Sequence, residues 1–183
     1  MIQASNFRLR HVRKEDIPRL IELLNHPDSK GDYLSLELVL PGVAQKKFED
    51  ELYSKELCET FLIVNDDDTI LGRVFHFKTV PYFNSREIGY ALFAKHLRGK
   101  GIIKEAVQLV VDYLFNTTLL NRLEIHMNVD NIASERVAQH CGFTKDGIAK
   151  AAVFSRGKHV DVAMYSLLRA DWVAQRSVLS LPS

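Results

Sequence analysis

The amino-acid sequence predicts a single α/β domain over residues 1–183, with a mixed central sheet of about six to seven strands flanked by about four helices. Three observations support this fold class. Segments with the two-residue period of strands alternate with segments of helical period. Their order is β, α, α, β, β, β, α, β, α, β, β, and both tight turns and helices join the strands, which predicts a partly antiparallel sheet. A chain of 183 residues with 46% apolar and 26% charged residues can bury one core.

The N-terminal part of the chain predicts one strand and two helices. Residues 6–12 alternate with the period of a half-exposed strand. Ile17, Leu20 and Leu24 then recur at helical spacing behind an acidic, proline-containing first turn. Residues 25–42 contain prolines and glycines without a period, so we expect an irregular connection of the kind that lines substrate clefts, followed by a helix at 45–55.

The later elements follow from the same patterns. Residues 61–64 and 70–80 flank a polar turn, N-D-D-D, and predict an antiparallel hairpin. The other predicted elements are a strand at 87–93, a helix at 103–114, a strand at 123–129, a helix at 131–140 and two strands within 143–168.

Charge and cysteine content narrow the function classes. The 24 Lys and Arg residues balance 23 Asp and Glu residues, which argues against a nucleic-acid partner. No secretory signal and no run of about 18 apolar residues is present, so we expect neither secretion nor a membrane partner. Cys58 and Cys141 lack metal-ligand spacing and no other zinc ligand set is present. The sequence thus predicts a cytoplasmic protein without a metal.

The segment at 87–106 carries the strongest chemical signal, because a strand leads through a glycine-containing turn into a helix. Gly99 and Gly101 permit close backbone approach to a ligand, and the N–H groups of a helix start attract a pyrophosphate. Arg98 and Lys100 add positive charge. The alternative is a tight turn without a ligand. Neither a phosphate loop of NTPases nor a dinucleotide fingerprint is present.

This turn resembles a family motif. The letters R-G-K-G-I at 98–102 resemble the acyl-CoA pyrophosphate motif of the GCN5-related N-acetyltransferase (GNAT) superfamily. Arg98 and Gly101 match the pattern, whereas Ile103 stands where the family has Gly or Ala. A bulky side chain there would narrow the phosphate cradle.

A second block, at residues 128–143, resembles the family's Asn-x-x-Ala/Ser…Gly-Phe helix. The matching positions are Asn131, Ser134, Gly142 and Phe143. The details are most similar to the Rim-type ribosomal-protein N-terminal acetyltransferases. This narrower resemblance rests on I-G-Y at 88–90, G-I-I-K-E-A at 101–106 and L-R-A-D-W at 168–172.

The resemblance implies transfer of an acetyl group from acetyl-CoA to a primary amine, namely the N-terminal amine of a ribosomal protein, in a fold that commonly forms homodimers. Glu87 is expected as the general base and Ser134 as the acid that protonates the leaving thiolate. Backbone groups of Leu92 and Phe93 are expected to bind the pantetheine arm. The implied acetyl-CoA site comprises Leu92, Phe93, Arg98, Gly99, Lys100, Gly101, Ile102, Ile103, Asn131 and Ser134.

Each assignment has a plainer alternative. Glu87 is otherwise a strand residue paired with Arg86, Asn131 a helix cap and Ser134 a small packing residue. The tyrosine that many family members use as the acid is replaced by Ala138. At the level of function, the alternatives are a small-molecule acceptor such as a polyamine, aminoglycoside or amino sugar, and a non-catalytic acyl-CoA sensor.

Two further side chains are weighed in the same way. Cys141 is interpreted as a structural thiol rather than an acyl-enzyme nucleophile. His126 either faces a substrate groove or packs between layers, and packing is the favoured interpretation.

Overall fold

The computed structural model describes residues 1–179 and shows a mixed sheet covered by helices on both faces. Eight strands form this sheet in the order β1-β2-β3-β4-β5-β6-β8-β7. They are β1 (Ile2–Gln3), β2 (Arg8–His11), β3 (Cys58–Val64), β4 (Ile70–Phe77), β5 (Ser85–Leu92), β6 (Arg122–Asn128), β7 (Thr144–Ser155) and β8 (Lys158–Leu168).

Six α-helices accompany the sheet in the described part of the chain. They are α1 (Ile17–Asn25), α2 (Pro27–Lys30), α3 (Pro41–Glu51), α4 (Ile102–Thr117), α5 (Ile132–His140) and α6 (Arg169–Leu179). Short 3-10 turns precede α1 and α4. None of the helices within residues 1–179 has the length and apolar character needed to cross a membrane.

Two cores hold the helices on the sheet. On one face, Val107 and Val110 of α4 are fully buried in a cluster that includes Ile88 and Leu123 of the sheet. On the opposite face, α1 and α3 bury apolar side chains in a second cluster around Leu62. Side chains of successive strand residues point to opposite faces, so β3 contributes Phe61 and Ile63 to the first cluster and Leu62 and Val64 to the second.

The parallel pair β5 and β6 interrupts an otherwise antiparallel sheet. The register pairs Ser85–Glu87 with Arg122–Glu124 and extends no further between these strands. Beyond this point β5 continues along β4 and β6 continues along β8. The two strands therefore diverge toward their C-terminal ends, where α4 and α5 begin.

The predicted order of elements is confirmed, with additions at both ends. The sheet has eight strands rather than six to seven, because the two-residue β1 adds an edge strand. Six helices replace the predicted four. Helix α3 begins at Pro41, four residues before the predicted start, since a proline suits the first helical position. Residues 180–183, part of the predicted single domain, lie outside the described residues.

The acidic hairpin turn serves the fold. Asp68 accepts hydrogen bonds from Arg8, Arg10 and Arg13. Arg10 is buried and also forms a bidentate ion pair with Asp16, with nitrogen to oxygen distances of 2.6 and 2.9 Å. These contacts fix the N-terminal strand to the hairpin and to the start of α1, and they leave Asp68 engaged rather than available to a cationic substrate.

Candidate active site

The divergence of β5 and β6 leaves backbone groups of β5 facing an open gap. Phe93 donates its amide to the carbonyl of Leu71 at 2.9 Å. Hydrogen-bonded and non-hydrogen-bonded pairs alternate in an antiparallel ladder, so the Leu92 amide points away from β4, toward the gap. Leu92 therefore fits the expected role as a pantetheine contact. The amide of Phe93 is bonded to β4, so the expected contribution of Phe93 to the pantetheine site stays a prediction for its other backbone groups.

The turn before α4 has the conformation that the motif requires. Gly99 and Gly101 have φ angles of 74° and 78°, in the left-handed region that favours glycine. No heavy atom lies within 4 Å of a Cβ built on either one, so backbone conformation, not space, selects glycine there. The first intrahelical bond runs from Glu105 N to the Gly101 carbonyl, which leaves the amides of Ile102 and Ile103 at an open helix start.

Of the side chains in this turn, one is bound to a neighbouring helix, one is exposed to solvent and one is packed in the core. Arg98 donates to the carbonyl of Asp28 at 2.6 Å, so its guanidinium ties the turn to α2. Lys100 is exposed. Ile103 is half-buried and packs against the main core. The structure thus leaves the anion site to backbone amides, with Lys100 as the exposed cation beside it.

A cleft of about 600 Å³ opens beside the gap and brings several predicted residues together. Glu87, Asn131 and Ser134 all line it, as do Tyr90 and His126. These residues come from β5, β6 and the first turn of α5. In open α/β sheets, ligands bind at the carboxyl ends of the strands, which is where this cleft lies.

Glu87 and His126 form a pair on adjacent strands. Their Oε2 and Nδ1 atoms are 3.1 Å apart, and both side chains are partly buried. The hydrogen bond that the His126 ring donates to Glu87 raises the pKa of His126, which burial alone would lower. Glu124 lies farther away, 3.6 Å from Nε2 of the same ring. Arg86, the alternative partner of Glu87, instead donates to the carbonyl of Leu57.

Ser134 meets a phenol that the sequence did not reveal. The hydroxyl oxygens of Ser134 and Tyr90 are 2.6 Å apart. Burial raises the pKa of Tyr90 to about 12, so the phenol keeps its proton at neutral pH. Asn131 caps α5 by accepting the amide of Ser134 at 3.1 Å, as predicted from its N-cap position. Ala138 is fully buried and takes no part in this contact.

The irregular segment between α1 and α3 lies at the cleft, as predicted. Tyr33 and Leu34 line it. The hydroxyl of Tyr33 donates to the carbonyl of Asp130 at 2.7 Å, and Arg156 of the final hairpin donates to the carbonyl of Gly31. This segment is therefore attached to both sides of the cleft.

Three polar residues of the cleft were not assigned to the site from the sequence: Tyr90, His126 and Arg73. Tyr90 lies within the I-G-Y motif, and His126 faces the cleft rather than packing between layers as favoured from the sequence. Arg73 gave no sequence signal, because an arginine in a strand is ordinary unless its surroundings are known.

The two cysteines are free and buried. Burial raises the pKa of Cys141 to about 12, which agrees with the interpretation as a structural thiol. No group of three metal-ligating side chains occurs within the described residues.

Comparison with known proteins places this geometry in context. A sequence profile described as an acetyltransferase (GNAT) domain matches residues 6–144. A Bacillus subtilis protein, the putative ribosomal N-acetyltransferase YdaF, is 38% identical over 150 residues, which cover 82% of this chain and 70% of that protein. For this and two further Bacillus N-acetyltransferases, the match spans 62 to 76% of the relative's own length.

Solved structures share the fold. The ribosomal-protein-S5-alanine acetyltransferase from Vibrio fischeri superposes with a TM-score of 0.82 at 22% identity, covering 93% of this chain and 97% of the other. The spermidine N-acetyltransferase from Vibrio cholerae, in complex with CoA and spermine, gives a TM-score of 0.81 at 19% identity, with 93% and 99% covered.

Proposed function

Because the chain belongs to the GNAT family of N-acetyltransferases, we propose that it transfers the acetyl group of acetyl-CoA to the α-amino group of a protein N-terminus. One observation carries this proposal: the cleft joins the Glu87–His126 pair to the Ser134–Tyr90 pair, beside the gap that the Leu92 amide faces. A proton acceptor, a proton donor and donors for a developing oxyanion thus lie in one site.

Acetyl-CoA fits the gap as co-substrate. The amides at the start of α4 are expected to bind its pyrophosphate, while Lys100 adds positive charge. The amide of Leu92 is expected to bind the pantetheine arm. Asn131 caps α5 with its side chain and lines the cleft, so it is positioned to fulfil both expected roles.

The side chains suit the proton transfers of the reaction. Glu87 accepts a proton from the acceptor's ammonium, directly or through water, and His126 stabilises the carboxylate. The neutral amine then forms the new C–N bond at the thioester carbonyl, whose oxygen is polarised by amides of β5. As the C–S bond breaks, Ser134 gives its proton to the sulfur, and the nitrogen of the new amide gives up its second proton, which restores the serine hydroxyl. Tyr90 hydrogen-bonds the serine oxygen, and the proton taken up by Glu87 passes to solvent. The products are the acetylated amine, free CoA and one released proton.

An α-amino acceptor suits this machinery. With a pKa of about 7.7–8.0, an α-amine is roughly a quarter to a third neutral at about pH 7.5, whereas a lysine side chain is neutral in only about one molecule in a thousand. A single partly buried carboxylate is then a sufficient base. The relatives named for ribosomal substrates support the same choice.

We also propose a cytoplasmic location, because both cysteines are free. The homodimer stays a prediction.

The alternatives have weaker support. The hypothesis of a non-catalytic sensor rested on Ile103, whose bulky side chain was expected to narrow the phosphate cradle. In the structure this side chain packs against the core instead. A polyamine acceptor is the activity named for structural relatives from Vibrio cholerae. In this chain, however, Glu87 is the one carboxylate among the described residues that line the cleft.

Acetyl-CoA-dependent thiol release by the purified chain tests the proposal. Peptides with free N-terminal Ser or Ala are compared with the same peptides blocked at the N-terminus, and with spermidine and an aminoglycoside. Turnover of free peptides alone supports the proposal. Turnover confined to small amines would replace it with metabolite acetylation, and acetyl-CoA binding without any turnover would favour the sensor.

A further inference from the structure

The cleft contains a cation without a counter-ion. Arg73, on β4, lines the cleft, and its Nε is buried without a hydrogen-bond partner. No carboxylate of the described residues lies within 4.0 Å of its guanidinium, the distance limit of an ion pair. Burying a charge in this way is costly unless something pairs with it. An arginine in such surroundings is suited to a ligand that brings the missing negative charge.

The guanidinium of Arg73 lies over an aromatic ring that also lines the cleft. Its central carbon is 4.4 Å from the centroid of the Phe75 ring. That ring in turn lies against Gly89, because a Cβ built on Gly89 would be 2.4 Å from its Cζ atom. Gly89 is two residues from Glu87 on the same strand and the same face of the sheet. One aromatic ring thus separates the charge of Arg73 from the part of β5 next to the proposed base.

The surrounding charges leave Arg73 unneutralised. Burial lowers its pKa to about 10, and the carboxylate of Glu51 on α3 opposes this effect without reaching ion-pair distance. Both oxygens of Glu51 are themselves buried without a hydrogen-bond partner, so the two groups attract each other but do not satisfy each other. Glu87 is engaged with His126, whose pKa it raises. A polycationic acceptor would meet Arg73 and a readily protonated His126 in the same cleft, which disfavours it.

We propose that Arg73 binds a carboxylate of the acceptor and thereby selects acceptors that carry a carboxylate near the reacting amine. This inference rests on the proposed acetyltransferase function and names its substrate class more closely. The planar guanidinium offers paired N–H donors that match the two oxygens of a carboxylate. The stack on Phe75 holds the guanidinium plane, so less side-chain freedom is lost on binding.

The carboxylate has two chemical sources. It is either the side chain of an Asp or Glu close behind the N-terminal residue of a peptide, or the α-carboxylate of a free amino acid. An extended peptide advances about 3.3–3.6 Å per residue. An acidic side chain at the second or third position of a peptide therefore reaches a group one aromatic ring away from the reacting region.

The experiment measures kcat/KM for matched pairs of acceptors. The peptide Ser-Glu-Ala-Ala-amide is compared with Ser-Gln-Ala-Ala-amide, the acid is then moved to the third and fourth positions, and free serine is compared with serine amide. We expect at least a tenfold preference for the acidic member, because hydrogen bonds between charged groups are the strong ones. A preference among the peptides identifies an acidic N-terminus as the source, and a preference confined to free serine identifies an amino acid.

Arg73→Gln is expected to abolish this preference, mainly by raising KM for the acidic acceptor, and Arg73→Lys is expected to restore part of it. Arg19→Gln is the matched control, since Arg19 is an exposed arginine of α1 whose partner is Glu22. A structural role for Arg73 predicts a different result, in which R73Q lowers the rates for both members of a pair equally and lowers the melting temperature.

The possible failures are distinguishable. Turnover without a preference for carboxylate, or a preference that survives in R73Q, overturns the inference about Arg73 and leaves the proposed function standing. Absence of turnover on every amine, including spermidine, overturns the proposed function and the inference that rests on it.

Discussion

Replacing Glu87 by glutamine tests the centre of the proposed mechanism. Glutamine keeps the size of the side chain but cannot accept the proton, and a positioned general base contributes about 10²–10⁴-fold to rate. With an α-amino acceptor, a quarter to a third of the amine is already neutral at about pH 7.5, so we expect the lower end, about a 100-fold loss of kcat. A lysine-type amine needs the base more, and its loss is expected nearer 10⁴-fold.

The geometry predicts which other quantities change. Affinity for acetyl-CoA should hold in E87Q, because the expected donor contacts are backbone amides at Leu92 and the start of α4. The pKa of His126 should fall, since the hydrogen bond to Glu87 is the largest cause of its raised value. Thiol release gives kcat, calorimetry gives the acetyl-CoA affinity, and proton NMR of the His126 ring gives its pKa.

The control for this experiment is Glu22→Gln, which removes an exposed carboxylate paired with Arg19. It should leave kcat and the pKa of His126 unchanged. Undiminished turnover of E87Q from about pH 6 to about pH 9 would refute the role of Glu87 as base. An unchanged His126 pKa would refute the pairing of the two side chains.

Three further changes test the donor site, the acid and the fold. Gly101→Ala should weaken acetyl-CoA binding by about tenfold, since a side chain at this left-handed φ costs roughly 1–2 kcal/mol. Gly42→Ala in α3, which has open space around it, is the control and should leave the affinity unchanged. Calorimetry measures the acetyl-CoA affinity of both variants. Ser134→Ala should lower kcat by about 100-fold at unchanged acetyl-CoA affinity, measured by thiol release. Asp16→Asn should cost about 3 kcal/mol in denaturant unfolding, because Arg10 loses a buried partner. The lowered pKa of Asp16 also means that wild-type stability present above the carboxyl's unfolded pKa is lost as pH falls through the folded value.

The sequence predicts those elements whose period extends over several residues. The hairpin of β3 and β4 and the β5–α4 unit each carry such a period, and the structure confirms them. The two residues of β1 and the single turn of α2 are too short to show one. Pro41 was interpreted as part of a loop, although it starts α3. Helix α6 was not predicted from the sequence. The indole of its Trp172 packs against Phe115 and donates to Asp112 at 2.8 Å.

The site was predictable to the extent that its features are local. The glycine conformations before α4 and the cap at Asn131 depend on neighbouring residues, and both are present. Contacts between distant residues depend on strand register, which a single sequence does not determine. The pairing of Tyr90 with Ser134 joins residues 44 positions apart. The free amide of Leu92 and the occupied amide of Phe93 likewise follow only from the ladder between β4 and β5.

The structure separates what the family shares from what selects the substrate. We expect the donor side to use backbone groups at the divergence of β5 and β6, which are compatible with many side chains. Relatives with different named acceptors share this fold. We expect the acceptor side to depend on side chains of the cleft, where Arg73 and Glu87 carry opposite charges. Fold similarity alone therefore cannot name the acceptor. We propose that the charge pattern of the cleft makes this choice, because a polycation and an acidic N-terminus respond in opposite ways to the guanidinium of Arg73.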